Sequence, residues 1–270
     1  MTVTEIAEPT TANAMFDIEV TNKLEPQHLC RLAAGVLGAV RIPGFFTATE
    51  CDDVMEGLET CELGAYDEQF VQPRVAKLGP AAYDFYDHAG LTGEYWMAAQ
   101  QAATSRSGLL RGTDPLTLAM QRLSAAWGAD VLPATSGGRT MFSGMIREIN
   151  QGAKVHFDEV VREFPGCLDI EPVAQLAFNC YLAMPPAGGE SVVYRRRWKP
   201  TDENHRDTYG YERSLVEGEP VASVLARKGD GMFFDCRNYH LVRPNIGGGR
   251  RVTLSFFVGI QASRPLQIWS

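Results

Sequence analysis

"AKVHFDEVV" (residues 153–161) is a short, β-favouring run in which an imidazole and a carboxylate stand two positions apart. Side chains at i and i+2 of a strand project to the same side. Read as a strand, the run therefore turns His156 and Asp158 to one face and Phe157 to the other. Two metal-ligating groups can then converge on one atom while the phenylalanine joins a core.

The neighbouring sequence has the same texture. From about residue 139 onward, short apolar or alternating runs follow one another: "RTMFSGMIREI", "AQLAFNCYLAM", "SVVYRRRW", "ASVLAR", "GMFFDC" and "RVTLSFFVGI". Their separators, "NQGA", "PPAGGE", "KGDG" and "RPNIGGGR", are turn-forming. Many short strands with frequent Gly and Pro punctuation predict a sandwich or barrel. The polar stretch "PTDENHRDTYGYERSLVEGEP" (200–220) is too long for a hairpin turn and reads as a functional loop or lid.

The preceding part reads as helical. In "PGFFTATECDDVMEGLE" Thr47 and Glu50 have the spacing of a capping box, with Phe45 and Phe46 just ahead of it. A second helix is expected over 113–127, capped by Thr113, with Leu116, Met120, Leu123 and Trp127 forming one buried stripe. Between them lies an aromatic-rich region (Tyr66, Phe70, Tyr83, Phe85, Tyr86, Tyr95, Trp96) whose pattern fits helix and loop alike. It suits either a lid over a small substrate or plain packing. Residues 1–14, rich in Thr, Ala, Glu and Pro, read as a flexible tail. The expected organisation is one domain over 15–270, with a helical part at 15–138 and a β core at 139–270.

Bulk properties narrow the functional classes. The chain has 270 residues, 45% hydrophobic and 21% charged, which allows a sizeable core. A formal net charge of -8 argues against duplex nucleic acid or an anionic membrane as partner. No basic start followed by an apolar segment marks a secretory signal, and no apolar run reaches membrane-spanning length. The six cysteines form no CxxC pair and read as reduced and mostly buried. These traits predict a cytoplasmic, acidic, soluble protein, with a homodimer left open.

Of five histidines, His28, His88 and His205 sit in settings typical of surface or hydrogen-bonded residues. His240 differs, because it closes "GDGMFFDCRNYH", where a Gly-Asp-Gly turn starts an apolar strand. Two imidazoles and one carboxylate on one flank of a metal leave the opposite positions open, an arrangement suited to Fe(II) enzymes that bind a co-substrate and O2 together. On that reading His156, Asp158 and His240 are the ligands. Further on, in "GGGRRVTLSFF", a strand over 250–257 places Arg251, Thr253 and Ser255 on one face and the apolar side chains with Arg250 on the other. A guanidinium beside a hydroxyl matches a carboxylate. Arg250 competes for that role and ranks lower because its strand neighbours are apolar.

Taken in order, "HFD", "PPAGGESVVY", "GDGMFFDCRNYH" and "GGRRVTLSFF" resemble the Fe(II)/2-oxoglutarate-dependent dioxygenases across roughly the C-terminal half. The resemblance implies a mainly β fold with some α: a double-stranded β-helix (jelly roll, cupin-like) core with N-terminal helices packed on it. It implies that His156, Asp158 and His240 bind iron, that Arg251 binds the distal carboxylate of 2-oxoglutarate, and that Thr253 assists. Asn179, a polar residue amid apolar neighbours in "AFNCYLAM", contacts 2-oxoglutarate or pairs with a neighbouring loop.

More narrowly, "PPAGGESVVYRRRWKP" and the ending "LQIWS" resemble the branch of free-standing aliphatic halogenases and N-acyl amino acid hydroxylases. The halogenases of that branch carry glycine at the carboxylate position, whereas this chain keeps Asp158. The resemblance thus implies hydroxylation of an aliphatic C–H of a small molecule, an amino acid derivative or a natural-product intermediate, with O2 and 2-oxoglutarate consumed and succinate and CO2 released. Desaturation or ring closure by the same chemistry, and an inactive jelly-roll binding module, are the alternatives. Arg147, Arg195 and Arg197 are the candidates for meeting a substrate carboxylate.

Overall fold

The computed structural model describes residues 15–87 and 90–270. The expected tail at 1–14 and His88 lie outside these residues. Two antiparallel-rich sheets face each other. The larger has ten strands, in the order Asp17–Val20, Leu37–Ile42, Gly231–Phe234, Ala174–Ala183, Val252–Ile260, Met145–Glu148, Ala76–Leu78, Gly64–Ala65, with Leu266–Trp269 and Val131–Pro133 branching from it. The smaller runs Arg206–Asp207, Gly210–Tyr211, Ala153–His156, Asn238–Val242, Ser191–Arg197, Val221–Val224.

Alternation along the long central strand Ala174–Ala183 decides what each layer holds. Leu176, Phe178, Cys180 and Leu182 form the outer core with Leu29, Val54, Leu58 and Leu116 from the helices. Ala177 and Tyr181 turn the other way, into a cluster with Val193, Ala222, Met232 and Phe234 between the sheets. Complete burial of such side chains contributes about 1.5–3 kcal/mol each before ordering costs. The jelly roll is thus a sheet pair with one helix-covered flank and one inward face that also carries polar groups such as Gln175, Asn179 and Thr253.

Helices Pro26–Ala33, Ala48–Leu58, Gly93–Arg106 and Pro115–Trp127 supply the helical part. Thr47 caps Ala48–Leu58 as expected, its hydroxyl accepting from the Glu50 N–H at 3.1 Å and the Glu50 carboxylate accepting from the Thr47 N–H at 2.7 Å. The 113–127 helix starts one residue later than the spacing predicts, because Asp114, not Thr113, accepts the Leu116 N–H at 2.8 Å. Asp114 also pairs with buried Arg106, which a threonine could not do. Of the expected stripe, Leu116 and Leu123 are buried, while Met120 and Trp127 pack half-buried beside them.

Two features depart from the sequence reading. The 15–138 part is not purely helical: Leu37–Ile42 pairs with Gly231–Phe234, Ala76–Leu78 with Met145–Glu148, and Val131–Pro133 with Leu266–Trp269. "LGAVRI" is buried on both faces apart from Arg41, so it lacks the alternation that marks a strand. The helix Gly93–Arg106 buries Tyr95, Ala99, Ala102 and Arg106. A stripe built largely of alanine gives little apolar contrast.

The 200–220 stretch carries secondary structure of its own. It forms two short 3-10 turns around the hairpin Arg206–Asp207/Gly210–Tyr211, which extends the smaller sheet through Val155. All six cysteines are free thiols, and four of them are buried. No helix among the described residues is long and apolar enough to cross a membrane.

Candidate active site

Strand pairing brings the first ligating groups together. Ala153–His156 runs antiparallel to Asn238–Val242 with His156 opposite His240, so two imidazoles widely separated in sequence stand side by side, ring centroids 4.2 Å apart. The strand ends at His156, and Asp158 is held by its backbone N–H donating to the Cys236 carbonyl at 2.9 Å. The carboxylate Oδ2 then lies 3.3 Å from His240 Nε2 and 3.9 Å from His156 Nε2. One ligating atom from each of the three residues falls within 4.8 Å of the others. Phe157 points the opposite way, into a cluster with Tyr211 and Tyr239.

The second ring nitrogens are committed elsewhere. His156 Nδ1 lies 2.8 Å from the Lys154 carbonyl and His240 Nδ1 3.0 Å from the Asn238 carbonyl. A carbonyl only accepts, so each Nδ1 carries the hydrogen and each Nε2 offers its lone pair to the centre. Burial, reinforced by His240, pushes His156 down to about 4, which keeps it neutral at physiological pH. Burial works against charge on Asp158, but its neighbours His240, His156 and Arg147 hold it below the usual carboxylate range. Two imidazole nitrogens and one ionised carboxylate make a donor set that fits a divalent first-row cation.

Facing this cluster across the same pocket is a buried guanidinium. The inward face of Val252–Ile260 carries Thr253 and Ser255, whose hydroxyls lie 2.8 Å apart, and Arg251 precedes them on that face. Arg251 is 2% exposed. Its Nε donates to the Gly189 carbonyl at 2.9 Å and its Nη2 to Ser191 Oγ at 3.0 Å. The Tyr181 ring lies beneath it at 5.2 Å, with the Tyr181 hydroxyl 2.8 Å from Ser191 Oγ. Gly189 permits the approach: φ is +76°, and a Cβ there would sit 3.2 Å from Arg251 Cδ.

Among the described residues no carboxylate lies within ion-pair distance of Arg251. Burial accordingly lowers its pKa. A buried cation with no acid partner is costly and is poised for an anionic ligand. Arg250 is spoken for, its Nη2 lying 2.7 Å from a Glu148 carboxylate oxygen.

The pocket wall contains His156, Asp158, His240, Arg251, Thr253, Asn179 and Arg147, all anticipated from the sequence. It excludes Arg195 and Arg197, which corrects the expectation that they meet substrate. Arg195 is exposed, and Arg197 pairs with Asp235 at 2.6 Å. The pairing of Ser191–Arg197 with Asn238–Val242 shifts register between Val193 and Arg197, so alternation from the pocket face does not extend to the arginines. Arg196 binds Asp202 and Glu219.

Several wall residues escape a sequence reading. Ser191 orients Arg251, and Tyr66 stands beside Arg147. Tyr209, at the hairpin tip, lies edge-on to the His156 ring at 5.7 Å, and its hydroxyl accepts the Lys154 N–H at 2.7 Å. Glu163, at the end of the short helix Val160–Glu163, also faces the pocket. Only the length of the 200–220 stretch signalled Tyr209, and nothing in the local sequence marked Glu163. The aromatic region divides: Tyr66 and Tyr83 reach the pocket, whereas Tyr95 and Trp96 pack with Phe142 and Trp269.

Burial, then the charge of Asp158, pushes Glu163 up from 4.5 to about 8. A carboxyl raised in the folded state ionises first in the unfolded chain, so the folded protein binds more protons between these values. Its contribution to stability is fully present below about 4.5 and is lost as pH rises through about 8. Glu163→Gln removes that loss. In the metal- and substrate-free protein, its melting temperature should climb relative to wild type by a few degrees between pH 5 and pH 9, at roughly 2–4 °C per kcal/mol. A gap that stays constant with pH would refute the buried-carboxyl assignment.

Two facing sheets with a His-Asp-His cluster inside the pair, opposed by a buried arginine on the far strand, place the chain in the jelly-roll class of Fe(II)/2-oxoglutarate oxygenases. Within it, the chain belongs to the family described as carrier-protein-independent halogenase WelO5, whose pattern it matches over residues 13–270. It is 40% identical over 247 residues to L-gamma-glutamyl-L-propargylglycine hydroxylase of Streptantibioticus cattleyicolor, spanning 90% of this chain and 92% of that protein. It is 35% identical over 139 residues to leucinostatins biosynthesis cluster protein S of Purpureocillium lilacinum, 49% of this chain and 57% of that one. In fold it is similar to an N-substituted L-amino acid dioxygenase from Burkholderia ambifaria AMMD, with a TM-score of 0.61 over 92% of both chains at 14% identity.

Proposed function

We propose that this protein is an Fe(II)- and 2-oxoglutarate-dependent hydroxylase of an aliphatic C–H in an amino acid derivative. The observation that carries the reading is the pairing, inside one pocket, of the His156–Asp158–His240 donor set with the acid-free buried guanidinium of Arg251. His156, Asp158 and His240 would hold the metal, and Arg251 with Thr253 the distal carboxylate of 2-oxoglutarate. Asn179, opposite Ser255 on the adjoining strand, would contact the same co-substrate. When bound, iron and 2-oxoglutarate supply the oxidising power for C–H cleavage, with O2 consumed and succinate and CO2 released.

The chain's own residues do the rest. The carbonyls of Lys154 and Asn238 orient the two imidazoles. Ser191 and Gly189 hold the guanidinium of Arg251 so that little of its freedom remains to be lost on binding. Val71, Val75, Ile149 and Phe234 line the walls with apolar surface and limit water near the reacting carbon. Arg147 lines the pocket without an ion pair among the described residues and is the side chain suited to a substrate carboxylate.

Asp158 favours oxygen transfer over halogenation, because its carboxylate stands where the halogenases of the resembling branch carry glycine. The hydroxylase named above acts on a γ-glutamyl amino acid, so that class is the first to try. Purified protein reconstituted anaerobically with Fe(II) and 2-oxoglutarate, then given O2 and a panel of free and γ-glutamyl amino acids, should release succinate in step with a product 16 mass units heavier. Chlorinated product in the presence of chloride, or no 2-oxoglutarate consumption with any member, would refute the reading.

A further inference from the structure

Glu163 is a charge-bearing side chain in the pocket with no role in holding metal or 2-oxoglutarate. It ends the short helix that follows Asp158, and that helix is pinned by the Val160 N–H donating to buried Gln175 Oε1 at 2.8 Å. One carboxylate oxygen, Oε2, accepts the Glu159 N–H at 2.9 Å, which fixes the group against its own backbone. Among the described residues no lysine, arginine or histidine lies within ion-pair distance of it. The nearby Glu159 is neutralised by Arg162 at 2.9 Å, and Arg206 is taken up by Glu203 and the Tyr211 hydroxyl. Glu163 is therefore a positioned carboxyl with no cationic partner among the described residues.

Its surroundings make that omission costly. The charged groups that act on it are Asp158 and Glu159, both negative, and Arg206, positive but outside ion-pair distance. Burial and Asp158 together push its carboxyl well above the ordinary range. Beyond it the wall is apolar and aromatic, with Ala81, Ala82, Tyr83 and Phe164. Water is a poor substitute for a counter-ion there, and a fixed positive ligand would restore the balance. The same pocket holds a group of the opposite sign: Arg147 makes no ion pair among the described residues.

We propose that Glu163 is the specificity-determining residue that receives a primary ammonium of the substrate, so that the substrate class is one bearing a free amino group as well as a carboxylate. This deepens the hydroxylase reading and rests on it for turnover, but not for binding. An N-acylated substrate lacks the cation and would leave the Glu163 carboxyl unpaired in the complex, so discrimination follows from the unsatisfied group rather than from a lost contact alone.

The test compares matched pairs, each amine of the panel and its N-acetyl form, with L-γ-glutamyl-L-propargylglycine and N-acetyl-L-γ-glutamyl-L-propargylglycine as the lead pair. Binding is measured by calorimetry on the anaerobic protein loaded with Fe(II) and 2-oxoglutarate, and turnover by succinate release. Wild type should prefer the amines by about 30-fold or more, the scale set by a desolvated charge pair. Glu163→Gln should bring the two forms within about threefold of each other, the loss falling on KM for the amine, and Glu163→Asp should restore part of the preference.

Equal binding of amine and N-acetyl forms by wild type, a preference that survives in Glu163→Gln, or no binding of any amine in the panel each overturns the assignment. An amine preference in binding without turnover of any compound would uphold Glu163 and refute the hydroxylase reading. Turnover without the preference would do the reverse.

Discussion

Asp158→Gly should bind ferrous iron at least about 100-fold more weakly than wild type and lose hydroxylation by a similar or larger factor. Loss of an outer partner that merely orients a ligand already costs about 10–100-fold in metal affinity or activity, and loss of the ligand itself costs more. Asp158 is the one carboxylate in the donor set, and the His156 imidazole beside it is neutral. Without it a divalent cation meets only two imidazole donors in a buried site. The backbone hydrogen bond from residue 158 to the Cys236 carbonyl does not depend on the side chain, so the substitution leaves the local fold intact. Anaerobic iron titration and product mass spectrometry, with chloride present and absent, are the measurements. Full hydroxylation persisting in this variant would remove Asp158 from the ligand set.

Arg251→Met should raise the half-saturating concentration of 2-oxoglutarate by roughly 30- to 3,000-fold, the equivalent of about 2–5 kcal/mol for a desolvated charge pair. The thioether fills much of the volume of the stem, and the protein without ligands should be about as stable as wild type. That second half follows from the site itself, since the guanidinium is buried against Tyr181 with no acid and its removal relieves an uncompensated charge. An arginine kept for stability behaves in the opposite way, losing melting temperature with little change in co-substrate affinity. Arg250→Met is the matched control: its partner Glu148 lies on the neighbouring strand, so stability should fall while 2-oxoglutarate binding holds. Arg250→Met weakening 2-oxoglutarate more than Arg251→Met would reverse the assignment.

These expectations also show how much of the site could be read from the chain. His156 and Asp158 stand two apart beside a strand end, so local geometry alone puts them on one side. Arg251, Thr253 and Ser255 follow the same rule, and the structure places Arg251 and Thr253 in the pocket wall. Alternation also separated Arg250 from Arg251. It failed for Arg195 and Arg197, because it holds only while the strand stays in register, and the shift after Val193 is a property of the pairing. The strand "LGAVRI" and the alanine-striped helix Gly93–Arg106 were hidden for a related reason, since burial on both faces or by small residues leaves no periodic contrast.

What the sequence by itself determined was the chemistry of the centre: a His-x-Asp pair, a second histidine closing an apolar strand, and an arginine and hydroxyls sharing one strand face. Those are consequences of spacing along single strands, where a side chain's direction is set by the residue beside it. Only the tertiary structure decided that His240 lies across from His156, that Ser191 and Gly189 aim Arg251, and that Glu163 reaches the pocket. Each of these depends on which strand or turn lies next to which, and that neighbourhood is chosen by packing over the whole sheet pair rather than by any stretch of residues.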